Sequence, residues 1–175
     1  MNRNLLIGLV ALLALWSAAL IADRASAASD DGKQFLLEEQ PEGATDVLAV
    51  RKAAKDQQEV IAVGRIGGRK NPWVKGAAAF SIVDRSLTPC NEGEDSKCPT
   101  PWDYCCSPNL SKATVLVMVV DAQGKIVRQD ARKLLGVKEL DTVFVQARAK
   151  RDKSGNVTLL ATKIFIPTEH RISAR

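Results

Sequence analysis

Thr142-Val143-Phe144-Val145-Gln146-Ala147-Arg148-Ala149, followed after a short turn by Val157 to Ile166, is the stretch of this sequence that decides the fold. Within it small apolar residues alternate with polar or bulkier ones, which is the period of a pleated strand with one face turned inward. The turn Asp152 to Asn156 contains Ser-Gly-Asn, residues that favour tight reversals. The sequence therefore predicts a β-hairpin at the end of the domain.

Three segments before this hairpin also have the composition of strands. Glu59 to Ile66 is rich in β-branched residues and is closed by Gly67-Gly68, and Ala77 to Val83 gives a second strand. Thr114 to Val120 is apolar on both faces, as expected of a strand held between the core and a covering element. Arg132 to Leu140 is then predicted as a brief helical or turn-like connector before the final hairpin.

One short amphipathic helix is predicted before the first strand. From Thr45 to Gln58, apolar residues recur at helical spacing, Thr45 is suited to cap the start, and Asp46 suits the positive end of the helix dipole. The preceding residues 28–44 are polar and acidic apart from Phe35-Leu36-Leu37 and are predicted to be a linker. The domain is predicted to cover residues 45–167, with a polar tail at 168–175.

The order strand, strand, strand, short helix, strand, strand resembles the OB-fold, a five-stranded Greek-key barrel. The segments that carry this resemblance are Val60 to Ile66, Leu140 to Ala147 and Val157 to Ile166. We therefore expect an all-β domain with minor helix: an OB-like barrel preceded by a short helix. The alternative is another small β-barrel or sandwich.

A long cysteine-rich insert separates the second and third predicted strands. It runs from Asp84 to Lys112, and all four cysteines of the chain lie in it: Cys90, Cys98, Cys105 and Cys106. A loop of this length is usually functional or disordered. The segment Cys98-Pro-Thr-Pro-Trp-Asp-Tyr-Cys-Cys106 is similar to one in uncharacterised exported bacterial proteins, which place it inside an OB-like domain. That resemblance implies no activity.

The N-terminus has the pattern of an export signal. A short basic start precedes the apolar run Leu5 to Ala22, and Ala25-Ser26-Ala27 fits a signal-peptidase site. We expect residues 1–27 to be removed and the domain to reach the periplasm or cell envelope, with an uncleaved membrane anchor as the alternative. Cleavage would leave 23 basic and 19 acidic residues, a net charge of +4.

Disulfide bonds are the first interpretation of the four cysteines, because exported thiols are oxidised and four of them pair without remainder. A bond between the neighbours Cys105 and Cys106 would be strained. Two connectivities stay open: Cys90–Cys105 with Cys98–Cys106, or Cys90–Cys106 with Cys98–Cys105. Either would staple the insert.

Metal binding is the alternative for the same four residues. Four thiolates suit a closed tetrahedral zinc or iron site, whereas the spacing C-x7-C-x6-C-C lacks the paired C-x-x-C turns of structural zinc sites. Copper(I) capture tolerates irregular spacing better. The absence of a C-x-x-C motif also disfavours a thiol-disulfide catalyst. No cofactor is therefore expected, with zinc, iron or copper as the alternative.

Candidate ligand contacts come from residues in the loops. Trp73, Trp102, Asp103 and Tyr104 are predicted either to contact a ligand or, for the aromatic residues, to form a miniature core in the insert. The chain has one histidine, His170, and no recognisable catalytic constellation, so no enzyme is predicted.

The predicted function is that of an exported, non-enzymatic binding or structural module. Its expected partner is a protein or an oligosaccharide, since the fold does not determine the ligand. Nucleic acid is disfavoured by export and by the scarcity of aromatic residues on the second and third strands, where OB-folds stack bases. Membrane contact is expected only through an uncleaved N-terminal segment.

Overall fold

The computed structural model describes residues 28–92 and 98–167. The predicted signal peptide at 1–27 and the predicted tail at 168–175, with His170, lie outside the described residues. Within the described part of the chain, no helix has both the length and the apolar character needed to cross a membrane.

Five strands close into a barrel. They are β2 (Glu59–Ile66), β3 (Ala79–Val83), β4 (Thr114–Val119), β5 (Thr142–Arg151) and β6 (Val157–Phe165). They are joined in the order β2-β3-β4-β6-β5 and back to β2, and the pairing of β4 with β6 is parallel while the other barrel pairings are antiparallel. A helix lies between β4 and β5. This confirms the predicted OB-like Greek-key barrel with minor helix. A sixth, two-residue strand, β1 (Thr45–Asp46), is not part of this ring and pairs in parallel with β2.

The predicted alternation of β5 sorts its side chains between the barrel interior and exterior. The smaller residues of β5 are fully buried in the interior, and the hairpin with β6 pairs them with interior residues of that strand. On β4, Val115, Val117 and Val119 fill the interior, whereas Leu116 and Met118 lie half-buried on the exterior. The exterior face of β4 is therefore only partly covered, in contrast to the buried strand that its composition predicts.

The predicted amphipathic helix is shorter than its sequence pattern. Helix α2 spans Val47–Ala53, buries Val47 and Val50, and begins after Asp46. Asp46 occupies the capping position but makes no capping hydrogen bond. Instead Asp84, at the end of β3, accepts a hydrogen bond of 2.7 Å from the Leu48 amide. Helix α2 is therefore capped by a residue that lies 36 positions later in the chain.

The segment predicted as a linker instead packs against the barrel at residues 29–37. Helix α1 (Asp30–Lys33) passes so close to α3 (Ala131–Leu135) that a Cβ on Gly32 would lie 1.6 Å from the Leu134 carbonyl oxygen. Phe35 is only 6% exposed and joins the core, and backbone hydrogen bonds tie Phe35 and Leu37 to Ile164 of β6. The prediction of a linker is therefore wrong for residues 29–37. The Phe35-Leu36-Leu37 patch is the reason, because its apolar area is large enough to favour burial.

Candidate functional site

The cysteine insert folds as a lobe on the outside of the barrel. We call residues 84–112 the cysteine lobe, of which 84–92 and 98–112 are described. Its centre is Tyr104, which is fully buried over Gly67. A Cβ at Gly67 would lie 2.9 Å from the Tyr104 ring and 2.8 Å from the Trp102 carbonyl oxygen. A glycine immediately after β2 is therefore what allows the lobe to approach the barrel so closely.

Polar contacts fix the lobe in place. Within it, the Cys90 amide donates to the Asp103 carbonyl at 2.8 Å and the Asn91 amide to the Pro101 carbonyl at 3.0 Å. Arg65 on β2 forms a 2.8 Å ion pair with Glu92. The two arms of the lobe, residues 84–92 and 98–112, are thus joined to each other and to the barrel by contacts that involve no sulfur atom.

The lobe brings the four cysteines together as free thiols. Cys105 lies at the centre of the group, with its Sγ atom 3.5 Å from that of Cys90, 4.0 Å from that of Cys98 and 3.8 Å from that of Cys106. A disulfide bond requires about 2.05 Å. The convergence that both cysteine interpretations need is therefore present, while neither predicted disulfide pairing is formed.

Local surroundings shift the acidities within the lobe. Burial raises the pKa of the Cys90 thiol, whereas hydrogen bonding with the Thr100 backbone lowers the pKa of the Cys98 thiol. Burial also raises the pKa of Tyr104 to about 12, against the opposing effect of the Arg65 guanidinium. The Tyr104 hydroxyl has no hydrogen-bond partner among the described residues.

The four predicted ligand contacts have different surroundings. Tyr104 is the interior of the lobe, and Asp103 accepts a 2.7 Å hydrogen bond from the Tyr104 amide. Trp102 is half-buried, and its indole nitrogen donates to the Lys70 carbonyl at 3.1 Å. Trp73 is 9% exposed, and its indole nitrogen donates to Glu139 at 2.6 Å. Tyr104 is thus buried, and each of the other three side chains makes a hydrogen bond within the protein. Of the four, only Trp73 lines the groove described next.

A groove of about 630 Å³ lies on the exterior of β3, β4 and the start of β6. Its walls are the loop after β2, the end of the cysteine lobe and the turn between β5 and β6. This volume is in the range of ligand sites. No carboxylate is among the described residues that line it, which are Arg51, Gly68, Arg69, Asn71, Pro72, Trp73, Val74, Ser81, Leu110, Ser111, Thr114, Leu116, Asn156, Val157 and Thr158.

A second depression of about 590 Å³ follows α2 and β2. It carries Glu42 and Glu59, and single residues of β1, β5 and β6 complete its lining. The groove over β3 and β4 is the better candidate, because it includes Trp73, one of the predicted ligand contacts, and because its charged lining residues, Arg51 and Arg69, have the same sign.

Apart from Trp73, the residues that line the groove were not predicted as ligand contacts from the sequence. Arg51 belongs to α2 and Thr158 to β6, and only barrel closure brings them beside β4. One signal was available: Leu116 and Met118 made β4 apolar on its outer face as well, which indicated a surface that contacts something.

Comparison with known proteins identifies no family for this chain. No family model matches the sequence, and no curated protein matches it. Among solved structures, the fold is similar to a chain described as "putative aspartyl-tRNA synthetase" from Leishmania major Friedlin, with a TM-score of 0.42 and 11% identity. The match covers 80% of this chain but only 23% of that one.

Proposed function

We propose that this chain is an exported, non-enzymatic binding module whose ligand occupies the groove over β3, β4 and β6. The observation that carries the proposal is the convergence of the strand face, the loop after β2 and the β5–β6 turn on one open groove. These are the elements that OB-like barrels use to bind oligonucleotides and oligosaccharides. The predicted signal peptide supports a location in the periplasm or cell envelope.

The lining of the groove favours an oligosaccharide that carries acidic groups. The groove is lined by residues with hydroxyl and amide groups and by the half-buried Leu116; the polar residues are Asn71, Ser111, Thr114, Asn156 and Thr158. Such groups suit the hydroxyls of a sugar, since each can donate or accept a hydrogen bond.

The positive charge of the groove is unevenly available. Arg51 donates to the Thr114 carbonyl, whereas Arg69 is exposed and has no ion pair with another described residue. Arg69 is therefore the cation best placed to meet an acidic group on a ligand.

Nucleic acid is the weaker candidate. Base stacking needs an accessible aromatic face. Phe80 points into the barrel core, and Trp73 is held between Phe80, at 5.8 Å between ring centroids, and the Arg132 guanidinium, 5.4 Å from the ring centroid. The proposed contacts are therefore hydrogen bonds and charge, which suit a sugar better than a base.

Calorimetric titration of the exported chain with oligogalacturonate, maltohexaose and oligothymidylate tests this proposal. We expect oligogalacturonate to bind and Arg69→Ala to weaken it roughly 10-fold, the loss of one charge-assisted hydrogen bond. Arg128→Ala is the matched control, since Arg128 is exposed and outside the groove. Tighter binding of oligothymidylate, or equal effects of the two variants, would reject the proposal.

A further inference from the structure

We propose that the cysteine lobe is a thiolate site for one d10 metal ion with high affinity for sulfur, Zn²⁺ or Cu⁺. The inference is independent of the groove. It rests on the positions of the sulfur atoms and on the way the lobe holds them. Each cysteine that binds the ion releases its thiol proton to solvent, and no oxidant or reductant takes part.

The sulfur separations match the edges of a metal–thiolate polyhedron. With metal–sulfur bonds of about 2.3 Å, a tetrahedral site places its sulfurs about 3.8 Å apart. The three separations from Cys105 are 3.5, 3.8 and 4.0 Å. The Sγ atoms of Cys90, Cys105 and Cys106 also lie within 4.8 Å of one another. One ion placed among these three atoms would be within bonding reach of each.

The central position of Cys105 distinguishes a metal site from disulfide bonds. A disulfide joins one sulfur to one partner, whereas Cys105 has three sulfur neighbours at similar distances. Either predicted pairing would bond Cys105 to one neighbour and leave the other two to move together. A single ion can bind the sulfurs of Cys90, Cys105 and Cys106 as they stand.

The polypeptide around the sulfurs supports the same conclusion. The backbone hydrogen bonds between the two arms of the lobe position Cys90 and Cys105 without any crosslink. Thr100 places its hydroxyl 3.7 Å from the Cys98 sulfur, where it is suited to donate to a thiolate. Hydrogen bonds of this kind orient and tune metal ligands.

Cys98 distinguishes the two metals. It is 4.0 Å from Cys105 but is not a member of the compact group formed by Cys90, Cys105 and Cys106. Zn²⁺ in a structural site takes four ligands and would draw Cys98 in, whereas Cu⁺ accepts three thiolates and would not require it. The two ions therefore predict different effects of replacing this one residue.

The test uses the full chain, reduced and handled without oxygen. Zn²⁺ and Cu⁺ are titrated separately against a competing chelator, and Co²⁺ serves as the spectroscopic probe of tetrahedral thiolate coordination. We expect one ion per chain and a loss of affinity of about 100-fold or more in Cys105→Ser and in Cys106→Ser. Ser107→Ala, a change in the same lobe that removes no thiol, should bind as tightly as the parent chain.

Cys98→Ser then assigns the metal. A loss of about 100-fold for Zn²⁺ supports four-coordinate zinc, and an unchanged affinity for Cu⁺ supports the three-thiolate copper site. Circular dichroism establishes that the variants are folded, and Cys106 is exposed, so its replacement should not disturb the core. Failure of the reduced chain to take up either ion, or Cys105→Ser binding as tightly as the parent, would overturn the inference. Two disulfide bonds in protein trapped by alkylation in its own host would do the same.

Discussion

Tyr104 is the residue on which the cysteine lobe is built, and it is the only tyrosine in the chain. Because burial raises its pKa to about 12, the folded protein holds the neutral phenol at a pH where an unfolded tyrosine, with a pKa of 10.0, ionises. The stability contributed by this group is complete below pH 10 and is lost as the pH rises through 12. Ultraviolet absorbance of the phenolate should therefore appear near pH 12 or together with unfolding, and a titration near pH 10 with the fold intact would contradict the buried position.

The hydroxyl of Tyr104 should contribute little to stability at neutral pH. It has no hydrogen-bond partner among the described residues, so Tyr104→Phe removes a buried polar atom at no loss of packing. Urea unfolding of this control should give a free energy equal to that of the parent or up to about 1 kcal/mol higher. Tyr104→Ala empties the centre of the lobe and should cost about 3–5 kcal/mol.

The start of helix α2 depends on the carboxylate of Asp84, which directly follows β3. Burial alone would raise the pKa of Asp84, but hydrogen bonds from the Leu48 amide and from Ser86 outweigh it and lower that pKa. The resulting stability is present above pH 3.8, the ordinary value, and is lost as the pH falls through the lower native pKa. Asp84→Asn should therefore cost about 1 kcal/mol at pH 7 and reduce the loss of stability on acidification.

Asp46→Asn is the matched control for this prediction. Asp46 stands at the capping position of α2 but makes no capping hydrogen bond, and its ion pair with Arg85 is exposed. Its replacement should change the free energy of unfolding by less than about 1 kcal/mol. Urea unfolding followed by circular dichroism at pH 7 and pH 3 compares the two variants. An equal loss from both would show that the cap is not supplied by Asp84.

Helix α2 also shows which features could be predicted from the sequence and which could not. The helical spacing of Val47 and Val50 was sufficient to place α2, because amphipathic periodicity is local. The identity of the cap was not, because Asp84 and Leu48 are joined only after the barrel closes. The cysteine lobe is a similar case. The sequence places the four thiols in one insert, whereas the close approach of that insert to the barrel depends on Gly67, which directly follows β2.

The closed barrel could be predicted from the sequence, because the alternation of residues within each strand and the order of the strands are both local features of the chain. The packing of residues 29–37 was not. A single apolar patch in a polar, acidic segment resembles a linker by composition, and its burial depends on contacts with α3 and β6 that form only in the folded protein. The domain therefore begins earlier than its strand pattern suggests.

Substitution of Phe35 tests whether residues 29–37 belong to the folded domain. It is 6% exposed and belongs to the same core as the barrel strands, so Phe35→Ala should lower the free energy of unfolding by about 3–5 kcal/mol. Leu48→Ala is the control, because Leu48 is another large apolar side chain but is 42% exposed, and its change should stay below about 1 kcal/mol. Thermal and urea unfolding of the two variants measure both changes. Phe35 does not line the groove, so Phe35→Ala should leave the proposed binding there unchanged. Similar small effects of the two substitutions on stability would instead support the linker role for residues 29–37.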